Sequence, residues 1–131
     1  MNSDSQAFVV LRHEFPHDTE RTDHFDLMLQ SGEALETWEL SHWPPVGQQV
    51  VRRLPDHRLE YLEYQGPISG NRGRVTRVEQ GLYATLVQES DRTEVILNGS
   101  GFTGAICIRR NESDQRWVLS VSPSESTGIK D

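Results

Sequence analysis

Cysteine is almost absent: Cys107 is the only one in 131 residues, so no disulfide can form within the chain. It sits in the apolar run Ala105-Ile106-Cys107-Ile108 and is expected to be a small buried side chain rather than a nucleophile. Long hydrophobic runs are missing too, since no segment approaches the roughly 18 apolar residues of a membrane span. The opening Met1-Asn2-Ser3-Asp4-Ser5 lacks the charged and apolar regions of a signal peptide, which points to a cytoplasmic protein without membrane contact. Excess positive charge is lacking as well. The net charge of -7 argues against a generic nucleic-acid coat, because phosphate binding normally brings a basic surface. No long stretch carries helical periodicity.

What is present suffices for one folded domain. Hydrophobic residues make up 34% of the chain, with three Trp, four Phe and three Tyr to anchor a core. Residues 1–6 and 122–131 are rich in Ser, Asp and Gly and are expected to be flexible, leaving a domain over 7–121. Within it, short alternating or apolar runs recur between Gly, Pro and Asn punctuation, the pattern of an all-β sandwich or barrel. Strands are expected at 8–13, 24–30, 34–40, 48–54, 73–79, 81–89, 93–98, 104–109 and 117–120. Turns are expected at Ser31-Gly32, at Asn98-Gly99-Ser100-Gly101 and over 111–115. Trp43-Pro44-Pro45 reads as an extended loop, because adjacent prolines remove two ladder donors. The segment 56–64 can hold one helical turn, which would set His57 and Tyr61 on the same side.

The chemistry gathers on His24-Phe25-Asp26-Leu27-Met28-Leu29. In an extended strand His24, Asp26 and Met28 face one way while Phe25, Leu27 and Leu29 face the other. His13, closing the run Phe8-Val9-Val10-Leu11-Arg12, supplies a third donor if the two strands pair. Two His and a carboxylate suit manganese, iron or zinc. On spacing alone, a polar pair on an exposed strand face explains His24 and Asp26 as well. His57 and Tyr61 add groups able to meet a phosphate oxygen and donate or orient protons, against the plainer alternative of a capped surface turn. Six arginines between Arg52 and Arg77, against three acids, leave room for a local basic rim on an acidic protein.

Read in order, the motifs resemble the 3′-phosphoesterase domain of bacterial DNA ligase D and its free-standing relatives. Phe8-Val9-Val10-Leu11-Arg12-His13 is similar to the family's first strand, which ends in a metal-binding histidine. His24-Phe25-Asp26-Leu27 looks like its His-Tyr-Asp-Phe core, followed by Trp38 in the next strand. Asp56-His57-Arg58-Leu59-Glu60-Tyr61 resembles its Asp-His-Pro-Leu-Asp-Tyr segment, with Gly66-Pro67-Ile68 and a Gly-rich turn behind it. Leu97-Asn98-Gly99, Phe102-Thr103-Gly104 and Ile108-Arg109-Arg110 match the closing pattern.

The resemblance implies a compact antiparallel β-barrel with a groove holding one manganese ion on His13, His24 and Asp26. It implies that His57 and Tyr61 contact the reacting phosphate of a nucleic-acid 3′ end. The implied reaction trims a 3′-terminal ribonucleotide and then removes the 3′-phosphate, leaving a 3′-hydroxyl. A monomer is expected, with polymerase or ligase components of a repair system supplied in trans.

Four departures bear on that expectation. The family's arginine two residues after the aspartate is Met28 here, and methionine cannot donate to phosphate. Arg12, Arg52 and Arg53 are the candidates to replace it. The family's lysine beyond the Trp strand aligns with His42, a donor of pH-dependent charge. The acid before the Asp-His pair is Pro55. The loop after His13 is longer than usual, so His17 competes for the first ligand position. A barrel that keeps the metal and binds nucleic-acid ends or a repair partner without turnover is therefore the second reading. A ferrous-iron oxygen enzyme on the same two-His-one-carboxylate set is the third.

Overall fold

The computed structural model of the protein describes residues 5–17 and 19–122. Residues 1–4 and 123–131, which fall in the ends expected to be flexible, lie outside the described residues. Nine strands follow one another: β1 (Gln6–Glu14), β2 (His24–Ser31), β3 (Ala34–Leu40), β4 (Gln48–Arg58), β5 (Gly66–Pro67), β6 (Arg74–Glu89), β7 (Arg92–Gly99), β8 (Thr103–Arg110) and β9 (Trp117–Val121). A single 3₁₀ turn, Leu59–Leu62, is the one helical element among the described residues. Neighbours run β1-β2-β3-β4-β9-β8-β7-β6, and β6 returns to pair with β1. Eight antiparallel strands thus close into a barrel, leaving only the two-residue β5 as an appendage on β6. Closure removes most of the open sheet edge that invites aggregation, leaving β4 beyond Val51 paired on one side only. No helix among the described residues is long and apolar enough to cross a membrane.

The barrel interior is filled by one face of the alternating strands. Phe8 and Val10 of β1, Leu27 and Leu29 of β2, and Trp38 and Leu40 of β3 meet Val51, Tyr83, Val95, Leu97, Ile106, Ile108 and Leu119. Each side chain of this size contributes about 1.5–3 kcal/mol on full burial, so the interior holds the fold without a disulfide. The opposite face of β1, β2 and β3 is covered as well. Val9, Leu11, Met28, Leu35 and Val75 form a second cluster, over which Leu59, Tyr61, Leu62 and Ile68 are packed. The excursion between β4 and β6 therefore folds back over the outer barrel wall.

Two segments differ from the sequence expectation. The runs 73–79 and 81–89 are one long strand, because Gly81 is a point of close approach rather than a break. A Cβ there would lie 2.1 Å from the Asn98 carbonyl oxygen. The register of β6 against β1 shifts between Val10 and Leu11, leaving Val78 unopposed in a bulge. The segment 56–58, expected as part of a helical turn, continues β4 instead, and the turn starts only at Leu59. Cys107 is half-buried, and burial, followed by the charge of Glu94, raises its thiol pKa.

One polar group is locked inside. Glu79 is buried, and its carboxylate accepts from Trp43 Nε1 at 3.0 Å, from Ser100 Oγ at 3.1 Å and from the backbone N–H groups of Gly101 and Phe102. It ties the loop 41–47, which contains the cis Trp43–Pro44 peptide, to the β7–β8 turn.

Candidate metal centre and groove

The register β1 against β2 places His13 opposite His24 and Leu11 opposite Asp26. The two histidines and the aspartate thus share the outer face of adjacent strands, as the alternation of β2 predicts. The three side chains offer ligand atoms that all lie within 4.8 Å of one another. His17, the rival for the first position, is exposed in the loop and outside this cluster.

Backbone carbonyls orient both rings. His13 Nε2 donates to the Arg72 carbonyl at 2.8 Å, which leaves Nδ1 unprotonated in the neutral ring and 3.6 Å from Asp26 Oδ2. His24 Nδ1 faces the Thr22 carbonyl at 3.3 Å, leaving Nε2 3.0 Å from Asp26 Oδ1. Both atoms are buried, and apart from facing each other neither has a partner. Buried polar atoms are nearly always satisfied, and carbonyl-oriented histidines presenting their free nitrogens to one carboxylate are the arrangement a divalent cation requires. His13, His24 and Asp26 can hold a metal.

The electrostatics fit the same picture. Burial disfavours charge on His24, but Asp26, then Glu39 and the Thr22 carbonyl, outweigh it and raise its pKa above 6.5. Burial also opposes ionisation of Asp26, yet its two histidines hold its pKa below the usual carboxylate value. Asp26 is therefore ionised at neutral pH, and a proton on His24 competes with any cation for the pocket.

The triad lies in a groove of about 300 Å³ on the outside of the barrel wall. Met28, Leu54, Ile68 and Val75 form its apolar part, and His57 and Tyr61 line it. His57 reaches the groove by a bulge. Leu35 pairs with His57 but Thr37 with Leu54, so β4 carries one extra residue at Pro55-Asp56. Without it Asp56, not His57, would share the face of Arg52 and Leu54. His57 Nδ1 lies 2.9 Å from the Pro55 carbonyl, so it carries the proton and leaves Nε2 to the groove. The Tyr61 ring packs edge-on against His57, with centroids 5.6 Å apart.

The candidate phosphate binders separate. Arg52 lines the groove and pairs with Glu39 at 3.0 Å, on the register row that runs Asp26, Glu39, Arg52. Arg53 alternates to the other face, over the Trp38 ring at 5.5 Å and against Asp56 at 3.1 Å. Arg12 pairs with Glu14 at 3.7 Å and does not line the groove. His42 lies in a separate depression with Phe25, Trp43 and Val46. Met28 is buried in the groove floor.

The groove also contains Phe15, Arg21 and Arg72, which the sequence reading does not single out as site residues. Phe15 stacks on His13 at 4.1 Å, and the Arg21 guanidinium lies 4.6 Å from the Phe15 ring centre. Arg72 Nε donates to the Ser69 carbonyl at 2.7 Å. These residues sit in loops with no periodicity to aim them, so only the folded chain brings them together.

A protein-family model described as the DNA ligase D 3′-phosphoesterase domain matches residues 15–110. The matched span contains His24, Asp26, His57 and Tyr61 and begins two residues after His13. No curated protein matches the chain.

Proposed function

Since the chain belongs to the family of DNA ligase D 3′-phosphoesterase domains, we propose that it is a divalent-metal-dependent hydrolase of nucleic-acid 3′ ends. In this reading it removes a 3′-terminal ribonucleotide and then the 3′-phosphate, in the cytoplasm, for polymerase or ligase components of a repair system acting in trans. The observation that carries it is the pair of buried atoms His24 Nε2 and Asp26 Oδ1, facing each other with no other partner, beside His13 Nδ1.

His13, His24 and Asp26 would hold the ion, manganese in this proposal. Its chemistry there is to neutralise phosphoryl charge and to acidify a bound water. The rest is done by the chain's own groups. His57, with Nδ1–H fixed on the Pro55 carbonyl, presents Nε2 to the phosphate and, when protonated, donates from it to an oxygen that gains charge. Tyr61 supports the His57 ring and offers its hydroxyl to the same phosphate. Arg52 reaches over from β4 and supplies the cation that Met28 does not.

The test is incubation with manganese and a primer ending in 3′-phosphate. A 3′-hydroxyl product is expected, and its absence above the level of a His24→Ala control would overturn the reading. Arg52→Ala is expected to lower kcat/KM for this substrate about a hundredfold, the typical effect of losing one preorganised donor to developing charge. Steady-state kinetics with the 3′-phosphate primer check it.

Gly73 supplies a test of the metal centre that spares every ligand. It has φ of +87°, and a Cβ there would lie 1.9 Å from the Glu14 carbonyl oxygen. Gly73→Ala must therefore shift the turn that carries the Arg72 carbonyl, the partner of His13. Manganese affinity is expected to fall about tenfold or more, as for other losses of a ligand's orienting partner. Isothermal titration with manganese measures this directly.

Met28 favours the second reading, a barrel that binds ends without turnover. It is buried among Val9, Leu11, Leu35 and Val75, so at this position the floor strand offers the phosphate no hydrogen-bond donor. End-specific binding that persists with no product would decide for it.

A further inference from the structure

Beside the groove, β4 parts from β9. The two strands pair only from Gln48 opposite Ser120 to Val51 opposite Trp117, after which β4 follows β3 alone. The notch so opened is a depression of about 540 Å³ lined by Val50, Val51, Arg52, Arg53, Arg116 and Trp117. Arg52 lines both this notch and the groove, so the two adjoin at its side chain.

We propose that the β4–β9 notch is a docking surface for the nucleic-acid strand leading to the end held in the groove. This rests on the 3′-end reading and adds to it the path of the strand. Charge complementarity and adjacency argue for that occupant. Arg52, Arg53 and Arg116 line the notch, and Arg110 lies over the Trp117 ring at 5.7 Å. On a chain of net charge -7, this is a local concentration of cations of the kind that backbone phosphates select. Three acids face it: Glu39 and Asp56 offset Arg52 and Arg53 by ion pairing, and Asp114 takes the backbone N–H of Arg116 while keeping its charge, so the uncompensated cations are Arg110 and Arg116. Arg110 and Arg116 enter no ion pair among the described residues. Between the cations, half-exposed Val50 and the partly buried Trp117, edge-on to Trp38 at 5.1 Å, give an apolar surface for sugar and base. Arginines interleaved with an aromatic ring are what a single strand binds without reading sequence.

The test is fluorescence anisotropy with a labelled 3′-phosphorylated dodecanucleotide in chelator, so that binding is read without turnover, beside calorimetry with a nucleoside 3′-monophosphate. Arg116→Glu is expected to weaken oligonucleotide binding about tenfold and to reduce the slope of log affinity against log salt by about one or more. Arg109→Glu, the same charge change on the face of β8 opposite to Arg110, is expected to weaken it less than twofold. Neither should alter affinity for the monophosphate. Equal effects of the two variants, oligonucleotide binding no tighter than monophosphate binding, or equal displacement by polyglutamate would overturn the proposal. Arg116-dependent binding without 3′-hydroxyl product from the manganese-loaded protein would sink the phosphoesterase reading and leave the notch standing. Product with no Arg116 effect would do the reverse.

Discussion

His24→Ala is expected to abolish manganese binding and to reduce release of 3′-phosphate by about a thousandfold. That loss corresponds to about 4 kcal/mol of transition-state stabilisation, within what a divalent ion supplies at a phosphoryl group. The size of the effect follows from the geometry of three ligands. His24 contributes the nitrogen nearest Asp26, 3.0 Å from Oδ1, and neither atom has another partner. Removing it leaves His13 and Asp26, too few donors to compete with water for the ion. A thermal-shift titration separates this from a folding defect. Manganese should raise the melting temperature of the unaltered protein, because a ligand that binds only the folded state stabilises it by mass action. The variant should fold and lose the shift. A variant that kept both the shift and the activity would remove His24 from the centre.

Glu79→Ala should produce the largest change in stability, with little direct effect on the groove. Its buried carboxylate accepts from Trp43, Ser100, Gly101 and Phe102. Truncation removes the acceptor of four donors, of which those on the partly buried Trp43 and Phe102 are the hardest for water to reach, and each unmet buried donor costs about 1–3 kcal/mol. Partial relaxation at the barrel end recovers some of this, so a loss of about 3–5 kcal/mol is expected, in line with breaking other buried charged clusters. For a domain of this size, that lowers the melting temperature by about 10 °C or more. Glu79→Gln should also be damaging, since its amide turns an N–H₂ either toward the Trp43 indole N–H or toward the Gly101 and Phe102 backbone N–H groups, none of which can accept. Calorimetric melting of both variants checks the expectation; a Gln variant as stable as the original would show that the donors find other partners.

The fold was legible wherever alternation was clean. β2 and β3 declare one apolar face each, and Ala34–Leu40 matches its expected bounds. Legibility failed where a glycine or a bulge carried the information. Gly81 resembles punctuation, yet it marks the place where β6 becomes flanked by β1 and β7 together. Arg52 and Arg53 are indistinguishable as neighbours in sequence. Only the register Asp26, Glu39, Arg52 puts the first in the groove and the second over Trp38. His57 and Tyr61 do come together, but through an extra residue in β4 rather than through helical spacing. Pro55, a departure from the related motif, sits in that bulge, and its carbonyl holds the His57 ring. Arg21 carries no signal and Arg72 only its membership of the arginine-rich stretch, because loop side chains are aimed by tertiary contacts alone.

Strand β2 divides its residues by parity. Phe25, Leu27 and Leu29 belong to the barrel interior, while His24, Asp26 and Met28 belong to the groove. Chemistry and folding are thus largely separated by the thickness of one strand, and of these six side chains Met28, which also packs against Val9, Leu11, Leu35 and Val75, serves both. Lineages or engineers can rewrite the even positions, trading an arginine for a methionine or one ligand set for another, while the odd positions keep the barrel shut. The inner face of this strand keeps the barrel closed while its outer face presents the ligands, so substitutions at His24 and Asp26 alter the site without emptying the core.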